Sequence, residues 1–154
     1  MLEEISDMGD RYDRNLYVKG SMSEFNLQKI DTFNNLTKKV LKAATEFSKL
    51  EYKVPIEYDV KACWANTLTE KDYIQPHNHF TSDLCATYFL TAPENSSPLH
   101  FIEADEYIKP EQDLLIIYYP HMMHGSPSMH VNEKRITVNY NLKIKSEFIY
   151  SILP

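Results

Sequence analysis

Arg135-Ile136-Thr137-Val138-Asn139-Tyr140-Asn141-Leu142 alternates strictly between polar and apolar side chains. A strand sends successive side chains to opposite faces, so Ile136, Val138, Tyr140 and Leu142 form one apolar face. Arg135, Thr137, Asn139 and Asn141 form the other. Most alternating strands turn such a polar face to water. An arginine fork and a hydroxyl two residues apart also point the same way, a geometry that suits a carboxylate.

Working back from this strand, the chain after Pro55 reads as a series of short strands. The candidates are Ile56–Leu68, the neighbourhood of His79, Leu84–Leu90, Leu99–Glu103, Leu114–Tyr119 and Ile136–Ile144. Turn material separates them: Thr91 to Pro98, Lys109-Pro110-Glu111-Gln112-Asp113, and Ser126-Pro127-Ser128. Short strands with no helix between them predict an antiparallel sandwich or jelly roll. Before Pro55 the period changes. Phe33, Leu36, Val40, Ala44 and Phe47 recur at helical spacing, which predicts a helix over residues 31–50 with Asp31 as its N-cap and Ile30 as a staple. Its apolar stripe needs a partner, most simply the outer face of the sheet. Residues 1–23 are polar and mixed in charge and read as an extended or poorly ordered arm.

At 154 residues the chain has room for one core, so residues 1–154 are read as a single domain with the jelly roll over 56–145. A hydrophobic content of 43% and a charged content of 25% are ordinary for a soluble globular chain. The net charge of −6, with no basic stripe, argues against a nucleic-acid partner. No apolar run is long enough to span a bilayer, and no signal peptide is visible at the N-terminus. Cys63 and Cys85 lie in apolar, strand-like segments. They read as buried reduced thiols in a cytoplasmic protein.

The histidines carry the chemistry. Gln75-Pro76-His77-Asn78-His79 places two imidazoles at i and i+2. On an extended segment their Cβ atoms lie roughly 6–7 Å apart on one side, within reach of a single metal ion at about 2.1 Å. Pro120-His121-Met122-Met123-His124-Gly125 offers a third ligand, and His124 is ranked first for its spacing to Arg135. His121, His130 and His100 are its rivals. Three histidines with an arginine placed to hold a carboxylate beside the metal suggest an iron enzyme rather than a structural site, although imidazole alone does not choose the metal. Asp83, four residues past His79, is read as a turn residue or an alternative third ligand. Tyr88 is assigned either to packing or to the bound carboxylate. Asn66 is a donor to a bound oxyanion, Asn139 shares the polar face of Arg135, and Trp64 is read first as core.

These residues together resemble the iron(II)- and 2-oxoglutarate-dependent oxygenase superfamily, within it a bacterial and phage branch with a His-x-His pair. The resemblance is carried by Trp64-Ala65-Asn66, His77-Asn78-His79, Leu84 to Pro93, Leu99-His100-Phe101, Pro110 to Leu115, Pro120 to His124 and Arg135 to Asn141, roughly residues 58–145. It implies a double-stranded β-helix, a cupin-like jelly roll, with Fe(II) and 2-oxoglutarate as cofactors. It implies metal ligation by His77, His79 and His124, and cofactor binding by Arg135 and Thr137. The reaction implied is hydroxylation of an unactivated C–H of an amino-acid or prolyl side chain or a small molecule, with release of succinate and CO2.

The chain departs from the superfamily at His79, where most members carry Asp or Glu, and three neutral imidazoles leave the full +2 charge on the metal. Asp83 or a water stays open as the third ligand. A second departure is Asp113, in a turn where relatives often have Gly. Two alternatives stay open as well: a cupin-like metalloprotein that does not use 2-oxoglutarate, and a non-catalytic phage or bacterial jelly-roll module. The substrate is not named by the sequence. The N-terminal arm is free either to line its mouth or to pair two chains as a homodimer.

Overall fold

The computed structural model describes residues 1–7 and 17–148. In chain order its strands are β1 Val18–Lys19, β2 Ser21–Met22, β3 Tyr58–Leu68, β4 Tyr73–His77, β5 Leu84–Thr91, β6 Leu99–Phe101, β7 Glu106–Ile108, β8 Leu115–Tyr118, β9 His124–Ser126 and β10 Arg135–Ile144. Two helices, α1 Leu2–Asp7 and α2 Asn34–Tyr52, precede the long strands. The strands form two five-stranded sheets, in the orders β2-β3-β10-β5-β8 and β1-β4-β9-β6-β7. Every strand pair is antiparallel. From β3 to β10 the chain crosses between the sheets at each step except the β6–β7 hairpin, which is the winding of a jelly roll.

The strand Arg135–Ile144 lies at the centre of the larger sheet, and both of its faces are covered. Ile136, Val138, Tyr140 and Leu142 join Phe33, Leu36, Val40 and Ala44 in one core cluster. The stripe on α2 therefore finds the outer face of this sheet, as its period predicts. Burying each such side chain contributes about 1.5–3 kcal/mol. The opposite face, with Arg135, Thr137 and Asn139, points between the two sheets and is also buried. A polar face inside a sandwich needs polar partners, and this is where the site lies.

Several expectations shift. The helix starts at Asn34 rather than 31. Asp31 opens a 3-10 turn that ends at Phe33, and it accepts a hydrogen bond from Asn34 Nδ2 at 3.1 Å instead of capping α2. Lys53, in the left-handed region with φ 61°, ends the helix. The N-terminal arm is not uniformly extended. Leu2–Asp7 is helical, β1 adds to the edge of one sheet and β2 to the edge of the other. Gly20, at φ +146°, makes that crossing, and a Cβ there would sit 2.7 Å from Leu68 Cδ2 and 2.8 Å from Thr67 O. The remainder of the arm, residues 8–16, lies outside the described residues. The strand expected near His79 ends at His77, and β7 and β9 were not expected as strands at all. Both are only three residues long, too short to show a period.

Cys63 and Cys85 are buried free thiols. Cys63 belongs to the cluster facing α2 and Cys85 to one between the sheets, so a disulfide would have to pass through the sheet. Asp113 sits at φ 66°, which accounts for glycine being the easier residue at that turn. Among the described residues no helix is long and apolar enough to cross a membrane.

Candidate metal centre

His77 ends β4 and His124 begins β9, and the two are direct partners across the antiparallel pair. His79 follows β4 by two residues and is pinned by its backbone N–H, which donates to Pro120 O at 2.8 Å. The three rings converge, with centroids 5.0 Å (His77–His79), 4.6 Å (His77–His124) and 5.2 Å (His79–His124) apart. One nitrogen from each lies within 4.8 Å of the other two. Gly125 makes the close approach of β9 to β4 possible, since a Cβ there would stand 2.6 Å from Ile74 O.

Two of the rings have an assigned tautomer. His77 Nδ1 lies 2.9 Å from Gln75 O and His124 Nδ1 lies 2.9 Å from Met122 O. A carbonyl can only accept, so both Nδ1 atoms carry the proton and both Nε2 atoms present a lone pair. Backbone carbonyls holding the outer nitrogen in this way are the usual second support of metal-binding histidines. Burial pushes all three imidazoles below the ordinary histidine range, His79 to about 3 and His124 to about 4, and for these two the neighbouring rings add to the effect. At neutral pH they are uncharged donors that could hold a metal ion.

A narrow pocket runs from the triad to Arg135, at the start of β10. It is lined by Asn66, Thr87, Phe89, Ser126, Arg135 and Thr137, among others. Arg135 is 2% exposed. Its Nη1 donates to the carbonyl oxygen of Ser97, its Nη2 donates to Ser126 Oγ at 2.9 Å, and its guanidinium carbon lies 5.7 Å from the Phe89 ring centroid. Among the described residues no carboxylate comes within ion-pair distance of it, and its Nε is buried without a partner. Burial lowers its pKa to about 10, which leaves it cationic at neutral pH. An unpaired buried cation is costly. The unpaired guanidinium therefore suits an anionic ligand, and the unpartnered Asn66 Oδ1 leaves an acceptor beside it for a donor.

The other sequence candidates fall on both sides of this line. Thr137 and Asn139 line the pocket, and Asn139 Nδ2 donates to Thr137 Oγ1 at 3.2 Å. Trp64 is buried in a core cluster, yet its ring also stands 5.4 Å from that of His79 and lines the pocket. Tyr88 does not line it. It lies on the α2 side of β5 and its hydroxyl donates to Asp113, because the inward residues of that strand are Cys85, Thr87 and Phe89. Asp83 stands apart from the clustered histidines. Its carboxylate accepts from Lys143 Nζ at 3.0 Å and from Ile144 N at 2.8 Å, and so ties the start of β5 to the end of β10. His100 is turned outward and stacked on Tyr107 at 3.8 Å, His121 is stacked on Tyr119 at 5.6 Å, and His130 is exposed.

Sequence reasoning missed Ser97, Ser126, Thr87 and Tyr118. Ser126 was findable, being two residues after His124 on the same strand. Thr87 was not, because a run that is apolar on both faces hides its parity.

A second, wider groove adjoins the pocket and shares Trp64, Asn66, His77 and His79 with it. Tyr17, Phe25, Asn78, Met123 and Asn141 complete much of its wall. The triad therefore stands between an inner pocket and an outer one.

No family profile and no curated protein matches this sequence. Solved structures do. The viral collagen prolyl hydroxylase of Paramecium bursaria Chlorella virus-1, solved as a 2OG complex, superposes with a TM-score of 0.70 at 13% identity, over 94% of this chain and 87% of that one. A Pseudomonas putida prolyl-4-hydroxylase gives 0.65 at 8% identity, over 94% and 82%. An oxidoreductase of the 2OG-Fe(II) oxygenase family from Burkholderia pseudomallei gives 0.60 at 14% identity, over 82% of this chain and 63% of that one. The shared property at these identities is the fold.

Proposed function

We propose that this chain is an Fe(II)- and 2-oxoglutarate-dependent oxygenase that hydroxylates an unactivated C–H bond of an amino-acid or prolyl side chain or a small molecule. One observation carries the reading: three neutral imidazoles converge at one end of a pocket whose other end holds a buried guanidinium with no carboxylate partner. His77, His79 and His124 would hold the ferrous ion. Arg135 would hold the distal carboxylate of 2-oxoglutarate, with Thr137 and Asn66 beside it and Asn139 orienting the Thr137 hydroxyl. When bound, the iron and the keto acid supply oxidative decarboxylation with O2, giving succinate and CO2 and placing one oxygen atom on the substrate.

Charge supports the pairing. Three neutral ligands leave +2 on the metal and Arg135 adds +1, so the pocket favours a dianion over a neutral ligand. Phe89, Leu99 and Ile74 line the same space and exclude water from it. The outer groove reaches His77 and His79 from the surface and would receive the substrate. Two of the similar structures are prolyl hydroxylases, which supports an amino-acid side chain as the target.

The test is spectroscopic. Anaerobic addition of Fe(II) and 2-oxoglutarate is expected to produce the visible charge-transfer band of the chelate, and air is then expected to yield succinate. Arg135→Ala should keep its metal and lose the band at a 2-oxoglutarate concentration that saturates the parent protein. Folded, metal-loaded parent protein with no band would overturn the reading.

A further inference from the structure

Tyr118, on β8, places its hydroxyl oxygen 3.3 Å from His124 Nε2. That nitrogen is the one left to bind a metal, since Nδ1 is committed to Met122 O. The phenol is 5% exposed. Its oxygen is also 3.2 Å from Thr87 Oγ1. Thr87 Oγ1 in turn donates to Asn139 Oδ1 at 3.0 Å, and Asn139 Nδ2 donates to Thr137 Oγ1 at 3.2 Å. A continuous chain of hydrogen bonds thus runs from a metal-facing nitrogen, across the inner faces of β8, β5 and β10, to the hydroxyl two residues from Arg135.

The donors in this chain can be counted. Asn139 Oδ1 only accepts, so the Thr87 proton is spent on it. Thr87 Oγ1 keeps acceptor capacity and offers it to Tyr118. The single phenolic proton of Tyr118 therefore has two acceptors, His124 Nε2 and Thr87 Oγ1, and can satisfy one at a time. A metal that takes the Nε2 lone pair removes the first.

We propose that Tyr118 is a positioning residue: its hydroxyl holds the His124 lone pair while no metal is present and turns to Thr87 when one arrives, linking metal binding to the polar chain that ends beside the carboxylate clamp. The link rests on the reading of the pocket as a site for a metal and 2-oxoglutarate. Its physical basis is cooperative. A hydroxyl that accepts a hydrogen bond is a better donor, so Thr87 tightens on Asn139, and Asn139 on Thr137, once Tyr118 donates to Thr87. Coupling of this kind is reciprocal, so 2-oxoglutarate tightens the metal by the same factor.

Tyr118→Phe keeps the ring and removes the proton. Calorimetric titration with Fe(II) under anaerobic conditions, without and with saturating 2-oxoglutarate, measures both quantities. In the variant the metal alone is expected to bind tighter, by at most about fivefold, the difference between the hydrogen bond to His124 that the metal displaces and the one to Thr87 that replaces it. The factor by which 2-oxoglutarate further tightens the metal should fall by about threefold or more. Thr87→Val, which leaves Tyr118 in place, should lose the coupling factor without the gain in metal affinity. If the parent protein binds both ligands and Tyr118→Phe matches it in both numbers, the inference is overturned while the proposed function stands. If the parent protein binds metal but no 2-oxoglutarate, the proposed function and the coupling fall together.

Discussion

At the residue scale, the site is defined by which nitrogen and oxygen atoms are already committed. His77 and His124 each spend Nδ1 on a backbone carbonyl and leave Nε2 facing inward. Asp83 places its carboxylate on Lys143 and Ile144, outside the group formed by His77, His79 and His124. This separates two residues that sequence spacing alone could not. His79→Ala is expected to weaken Fe(II) binding by more than about tenfold. Asp83→Ala should leave metal affinity unchanged and lower stability by about 1–2 kcal/mol through the lost hydrogen bonds. Metal titration and denaturant unfolding of the two variants check both. A loss of metal in Asp83→Ala with retention in His79→Ala would reverse the ligand assignment.

At the element scale, the triad depends on the pairing of two short strands. β4 and β9 meet at His77 and His124, and Gly125 lets β9 lie against Ile74 and Gln75. A Cβ at position 125 would meet backbone atoms, Ile74 O at 2.6 Å and Pro76 N at 3.2 Å, and neither can swing aside. Gly125→Ala should therefore separate β4 from β9. Overpacking of this kind costs about 1–3 kcal/mol. The expected signature is a lowered melting temperature together with a metal affinity reduced beyond what the same destabilisation elsewhere produces. Unchanged metal binding in Gly125→Ala would mean that the β4–β9 pairing does not set the triad. The long elements were legible because they carry a period. The α2 stripe and the alternation in Arg135–Leu142 both specify a face. β7 and β9, at three residues each, carry none, and the apolar run of β5 has a period but no visible parity. Tyr88, read either as a packing residue or as a partner of the bound carboxylate, packs on the α2 side of the sheet.

At the scale of the whole molecule, the cost of the site appears as pH dependence. Burial lowers the pKa of His77, His79 and His124 in the folded protein below the ordinary value near 6.5. The unfolded chain therefore binds more protons than the folded one as pH falls, and stability declines with it. The decline begins near the unfolded value of about 6.5 and ends below the folded values, which are about 3 for His79 and about 4 for His124. The melting temperature of the metal-free protein should drop as pH is lowered from 7 toward 4, and His79→Gln should flatten that drop. Equal slopes in the two proteins would show that His79 is not buried in its neutral form. The amino-acid sequence by itself determined the helical stripe, the long strands and the two faces of Arg135–Leu142, and it singled out His77, His79, His124 and Arg135, because periodicity and residue chemistry are local properties. Only the tertiary structure decided that the polar face of β10 is buried rather than wet, and that Thr87, Ser97, Ser126 and Tyr118 join it while Tyr88 and Asp83 do not. Those outcomes depend on which strands become neighbours and how they are registered, and they are set by contacts between residues far apart along the chain.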